Sequence, residues 1–180
     1  MKKYISLLRG INVGGHKKIR MADLKAMFIK CGYENPITYI QSGNVVFESK
    51  ESNQSVIEKQ ISSSILETFG FEVPVIIRTV EELKSAVKNN PFHSESVDEK
   101  KLHITFLEKS PDNETIVKIE NTILKNDKFK IVGKEVYVYV EGSYYKTKIS
   151  NQFFEKQLKV STTTRNWRTV NKLLKITEPV

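Results

Sequence analysis

Tyr4-Ile5-Ser6-Leu7-Leu8 and His103-Ile104-Thr105-Phe106-Leu107 read as one strand written twice, ninety-nine positions apart. After each comes a run with apolar residues at helical spacing, then two short β-rich stretches around a turn, then a second helical run. Val45 in the first hairpin matches Val136 in the second at an offset of ninety-one, so eight positions are lost on the way. The loss is local. Sixteen positions separate Leu8 from Leu24, the first apolar residue of the next helix, whereas nine separate Leu107 from Ile116. About seven residues of the first strand-to-helix loop thus have no counterpart in the second unit, and an insertion the fold does without is a functional candidate. Segregated strand, helix, hairpin, helix units fit the split β-α-β plan. The expected fold class is α+β, with two ferredoxin-like (split β-α-β) subdomains forming a pseudo-repeat. Residues 1–90 carry a Gly-rich basic loop, and residues 98–180 end in a basic C-terminal helix.

The remaining elements follow from spacing and punctuation. Leu24, Met27, Phe28 and Cys31 share one face of a helix that Gly32 ends. Residues 37–40 and 45–48 form a strand pair around Gln41-Ser42-Gly43-Asn44. A helix over about 53–69 buries Ile57, Ile61 and Ile65 and stops at Gly70, residues 73–78 form a strand, and Thr79-Val80-Glu81-Glu82 has capping-box spacing for a short helix to about Lys88. Asn89-Asn90-Pro91 and the polar run 94–100 read as a linker. In the second unit Ser110-Pro111-Asp112 opens a helix with Pro at its first position, and Ile116, Ile119, Ile123 and Leu124 form its buried stripe. Residues 129–132 and 135–140 pair across Gly133-Lys134. A helix covers about 151–159, and the last helix begins at 164–166 and runs to Lys175.

The 180 residues suffice for a core that hides roughly 70% of the unfolded surface. With 39% hydrophobic and 28% charged residues, 8 Gly and 5 Pro, the chain is not collagen-like, low in complexity or disordered. The 29 Lys and Arg against 21 Asp and Glu give a formal charge of +8. Residues 1–20 hold six basic side chains and no acid, residues 142–176 hold eight against Glu155 alone, and the rest sums to −5. Such a distribution aims a field at an anion if the fold joins the two segments, and otherwise merely solvates two faces. One Cys excludes an internal disulfide framework and a Cys-based zinc site. Arg9 ends the first apolar run too early for a signal peptide, and no run approaches a membrane span, so a cytoplasmic protein without membrane association is expected.

Three segments carry chemistry. Arg9-Gly10-Ile11-Asn12-Val13-Gly14-Gly15-His16-Lys17-Lys18 offers backbone amides, basic side chains and a following helix N-terminus, the ingredients of an anion nest. Its spacing matches neither the Walker pattern nor the dinucleotide fingerprint, so no resident cofactor is expected. Gln41, Ser42 and Asn44 place three uncharged hydrogen-bonding side chains at a strand junction, where they serve a ligand or the turn itself. On a helix starting near Thr164, Arg165, Arg168, Lys172 and Lys175 fall within about an 80° sector opposite Trp167, Val170, Leu173 and Leu174. Asn166 or a neighbouring Thr would cap that helix. The ligand-binding candidates are therefore Arg9, Asn12, Gly14, Gly15, Gln41, Ser42, Asn44, Arg165, Asn166 and Arg168. The catalytic inventory is poor. Cys31 reads as a small hydrophobe, His103 has no carboxylate at a telling spacing, and only His16 stands where a general base could act. No His, Asp or Glu spacing points to a metal.

Leu8-Arg9-Gly10-Ile11-Asn12-Val13-Gly14-Gly15, Tyr39-Ile40-Gln41-Ser42-Gly43-Asn44-Val45-Val46-Phe47 and Thr163-Thr164-Arg165-Asn166-Trp167 closely resemble signature stretches of the bacterial domain-of-unknown-function family numbered 1697. The resemblance covers nearly the whole chain and implies an α+β protein of two ferredoxin-like subdomains. That family has no established activity, so the resemblance implies no catalytic or binding residue. His16-Lys17-Lys18 is more basic than its pattern.

The leading expectation is a binding protein for a phosphate-bearing ligand (nucleotide, cofactor or nucleic acid) at a basic site of the Gly-rich loop and the C-terminal helix. RNA reading through a basic-glycine-aromatic strand is disfavoured, because Gly43-Asn44-Val45-Val46-Phe47 does not match it. The alternatives are a small metal-independent enzyme acting on an anionic substrate through Arg9, Asn12, Gln41, Asn44 and His16, or an interaction scaffold. The pattern does not specify an oligomeric state.

Overall fold

A computed structural model describes residues 1–122 and 124–178. The first half runs β1 (Lys2–Leu8), α1 (Met21–Lys30), β2 (Glu34–Tyr39), β3 (Asn44–Ser49), α2 (Gln54–Phe69), β4 (Val75–Thr79) and α3 (Val80–Lys88). The second runs β5 (Leu102–Leu107), α4 (Asn113–Glu120), β6 (Lys128–Val132), β7 (Glu135–Tyr139), α5 (Asn151–Leu158), β8 (Thr162–Asn166) and α6 (Trp167–Thr177), with single 3₁₀ turns at Glu99–Lys101 and Tyr144–Lys146. Two four-stranded sheets form, in the orders β2-β3-β1-β4 and β6-β7-β5-β8, and every pair of neighbours is antiparallel. Each is the split β-α-β arrangement. Equivalent residues occupy equivalent registers: Ser6 faces Val45, and Thr105 faces Val136. The offsets of ninety-nine and ninety-one thus describe the same strand pairing made twice. Residues 9–20 join β1 to α1, whereas residues 108–112 suffice between β5 and α4, which locates the seven-residue excess in the Gly-rich loop.

The chain divides into two compact units, Met1–Lys84 with Leu173–Val180 and Ser85–Lys172. In the first, Leu24, Met27 and Phe28 of α1 and Ile57, Ile61 and Ile65 of α2 pack on Tyr4, Leu8, Val45, Phe47, Val75 and Ile77. The helix α2 starts where Asn53 accepts a bond from Ser55 N and ends at Gly70 with φ 81°, the cap and stop that its sequence requires. Thr79 and Glu82 close a reciprocal capping box, with Thr79 N donating to Glu82 at 2.8 Å and Glu82 N to Thr79 Oγ1 at 3.1 Å. In the second unit Ile119, Phe154 and Leu158 cover Leu107, Ile131, Val136 and Val138.

Three expectations need correction. Pro111 is not the first residue of α4; Asp112 caps it by accepting from Thr115 N and Thr115 Oγ1, both at 2.8 Å, which pushes Pro111 outside. The buried stripe of α4 is shorter than expected, because the helix ends at Glu120 and Leu124 packs from beyond it; Ile123 lies outside the described residues. The last helix begins at Trp167, since Thr162–Asn166 is the strand β8 beside β5. Arg165 therefore belongs to a strand and not to a basic stripe on a helix. Three successive Thr suit a pleated strand, and the non-local partner β5 decides the matter. Cys31 is half-buried at the end of α1, its thiol donating to Ser64 Oγ at 3.1 Å.

Candidate functional site

The Gly-rich loop folds into a miniature hairpin. Asn12 N donates to Lys17 O at 3.2 Å and His16 N to Val13 O at 3.0 Å, with Gly14 and Gly15 at φ 57° and 80° in the tip. Two successive positive φ values are what a two-residue hairpin turn demands, and Gly-Gly supplies them without strain. The Asn12 side chain closes the base of the loop. Its Oδ1 accepts from Ile19 N, and its Nδ2 donates to Ile19 O and Gln41 O, each at 2.9 Å.

That second bond ties the loop to the turn before β3. Leu8 N donates to Gly43 O at 2.8 Å, and a Cβ on Gly43 would lie 2.7 Å from both Leu8 Cβ and Ile11 Cδ1. Asn44 is fully buried, its Nδ2 donating to Tyr39 O at 2.9 Å and Ser42 Oγ at 3.0 Å. Ser42 and Asn44 thus staple the turn, while the Gln41 side chain stays exposed.

Beside this junction lies an open cleft of about 560 Å³ lined by Asn12, Gly15, Lys18, Ile19, Arg20, Met21, Asp23, Gln41 and Phe69. The first turn of α1 forms one wall. Arg20 holds the N-cap position without a side-chain cap, and the first helical bond is Leu24 N to Arg20 O at 3.0 Å, so no side chain caps the amides of residues 21–23. The nearby cations are not equally available. Lys17 Nζ donates to Glu72 O at 2.6 Å, and Arg20 forks onto Asp23 at 2.7 and 3.2 Å, an interaction that raises the guanidinium pKa. The side chains of Lys18, His16 and Gln41 are exposed and have no partner among the described residues.

Of the sequence candidates, Asn12, Gly15 and Gln41 line this cleft, and Gly14 stands exposed at the hairpin tip. Arg9 is half-buried, with its amide donating to Pro74 O at 3.0 Å. In the second unit Arg165 is buried, its Nη1 donating to Thr163 Oγ1 at 2.8 Å and Thr164 O at 2.9 Å. Asn166 caps α6 by accepting from Thr169 N at 2.8 Å, and Arg168 is exposed beyond it. Lys18, Ile19, Arg20, Met21, Asp23 and Phe69 line the cleft as well and are not among the sequence candidates. The apolar spacing that marks α1 starts only at Leu24, which hides Met21, and Phe69 lies off the Ile57, Ile61 and Ile65 stripe. Nothing orients His16 for proton transfer, and no group of three or more His, Cys, Asp or Glu among the described residues is placed to hold a metal. No helix among them is long and apolar enough to cross a membrane.

The family described as Protein of unknown function (DUF1697) matches residues 1–137, which include the hairpin loop, the Gly43 turn and the cleft. The chain belongs to this family. The third stretch, Thr163 to Trp167, lies beyond the matched residues. Among solved structures, a conserved bacterial protein from Streptococcus pneumoniae is similar at 26% identity and a TM-score of 0.78, over 98% of this chain and 99% of that one. No curated protein matches the chain.

Proposed function

We propose that the protein binds a small phosphate-bearing ligand, a nucleotide or sugar phosphate, in the cleft beside the Gly-rich hairpin. The carrying observation is that the first turn of α1, uncapped by any side chain, lines an open cleft next to the unpaired Lys18 and Gln41. Helix N-termini favour anions because free amides and the dipole act together, and one ammonium adds a mobile counter-charge. Met21 and Phe69 supply apolar wall for the rest of the ligand. The one acid of the cleft, Asp23, is paired with Arg20 at 2.7 Å, which offsets part of its charge.

Native mass spectrometry of freshly purified protein, followed by thermal-shift titration with inorganic phosphate, nucleoside phosphates and sugar phosphates, tests this reading. A retained phosphate-bearing mass or a saturable stabilisation that Lys18→Glu abolishes is expected. No retained mass together with no stabilisation across the panel overturns it.

A further inference from the structure

The second unit contains a different cationic surface. Lys125, Lys146 and Lys148 line an open cleft of about 570 Å³, together with Asp127 and Glu141. Both acids are engaged. Asp127 accepts from Glu141 N at 3.0 Å and from Thr147 Oγ1 at 2.5 Å; Glu141 accepts from Lys101 Nζ at 2.7 Å and Tyr139 OH at 2.6 Å. The Lys101 bond, first, and the Tyr139 bond hold the Glu141 carboxyl below its usual pKa, so it stays an occupied anion. The three cleft lysines, by contrast, have no partner among the described residues.

Tyr145 projects beside Lys146 with 97% of its surface exposed. Its backbone is held on both sides. Tyr144 stacks on His103 at 4.5 Å, Lys146 N donates to Ser143 O at 3.0 Å, and Thr147 bonds Asp127. An aromatic ring kept in water on a fixed backbone, one residue before a lysine of a cleft that two further unpaired lysines line, has the parts of a single-strand platform: a π-face for a base and cations for the phosphates beyond it.

We propose that this cleft binds single-stranded nucleic acid, with a base stacked on Tyr145 and the backbone phosphates on Lys125, Lys146 and Lys148. Its concavity favours a flexible strand over a vesicle surface, which would need the lysines on a convex face. This cleft shares no lining residue with the α1 cleft, and the two readings stand or fall independently.

Anisotropy titrations of labelled single-stranded RNA and DNA oligomers at several salt concentrations provide the test. Three phosphate contacts give a log-log salt slope of about −2, and reversing two of the lysines (Lys146→Glu with Lys148→Glu) reduces it to about −0.7. Tyr145→Ala lowers affinity about tenfold, whereas Tyr145→Phe retains it. The control pair Lys25→Glu with Lys59→Glu, equal in charge change, leaves most of the affinity, as does Lys18→Glu. Absence of binding at low salt, an unaffected Tyr145→Ala variant, or equal losses in the control pair overturns the proposal. Binding to anionic vesicles but not to oligomers replaces it with a membrane-surface reading.

Discussion

Arg78 stands across from Ile5 in the first sheet as Arg165 stands across from Ile104 in the second, so the two arginines are the same residue of the repeated plan. Both are buried, Arg78 to 1% exposure and Arg165 to 7%. Arg78 Nη1 donates to Ile77 O at 3.0 Å, and Arg165 Nη1 to Thr163 and Thr164. A guanidinium costs heavily to desolvate unless its donors are satisfied, and its planar fork is suited to gathering several carbonyl and hydroxyl oxygens at once.

Truncating either arginine therefore removes a large buried side chain and strands the oxygens it satisfied. Arg78→Ala and Arg165→Ala should each lose roughly 2–4 kcal/mol in chemical denaturation. Arg168→Ala, on the exposed face of α6, should stay within about 0.5 kcal/mol of the parent. Equal small losses at all three positions would show that the buried arginines do not support the sheets.

Gly43 and Gly15 separate packing from loop geometry. Both need positive φ, 79° and 80°, but a Cβ meets Leu8 and Ile11 at Gly43 and nothing within 4 Å at Gly15. Gly43→Ala should cost roughly 2–4 kcal/mol, because strain adds to overpacking, and Gly15→Ala only about 1 kcal/mol. Urea midpoints of the two variants check the ordering.

His103 gives the pH dependence a sign. Burial lowers its pKa from the ordinary 6.5, outweighing the bond to the Lys101 backbone. Above 6.5 both the folded and the unfolded chain carry it neutral, and its contribution does not vary. As pH falls from 6.5 towards the lower folded value, the unfolded chain takes up a proton that the fold refuses, and stability drops by up to about 1.4 kcal/mol per pH unit. His103→Phe can keep an aromatic face against Tyr144 and removes the titration. Its melting temperature should fall less than that of the parent between pH 7 and pH 5; parallel curves would contradict this account.

The parts of the fold that were legible are those where local signals agree. In α2 the Asn53 cap, the three-Ile stripe and Gly70 all point to one helix, and the repeated strands β1 and β5 fix the offset that exposes the inserted loop. The strand β8 was not legible, because Thr and Asn are as suited to a helix cap as to a strand. What decides there is distant in sequence: pairing with β5, and the Thr164 hydroxyl bonded to Thr105 at 2.7 Å and Asn151 at 2.9 Å. At the cleft, Asn12, Gly15 and Gln41 were legible as loop and turn residues. Their meeting was not, since it depends on one side chain reaching a carbonyl twenty-nine positions away.

That side chain makes the sharpest test of the loop. Asn12→Asp keeps an acceptor for Ile19 N but turns the donor that serves Ile19 O and Gln41 O into a carboxylate oxygen facing two carbonyls. The base of the hairpin should open while the sheet and the helices stay packed. Amide exchange across residues 13–18 and 40–43 should quicken by about tenfold or more, the equivalent of about 1.4 kcal/mol in local opening, with a melting temperature only about 2–4 °C lower. Any phosphate-dependent stabilisation should weaken in step, because Gly15 and Lys18 are carried by the same hairpin. Faster exchange with undiminished ligand stabilisation would mean that the phosphate is held without the loop, at the first turn of α1 alone. Unchanged exchange would mean that Asn12 is not the clamp.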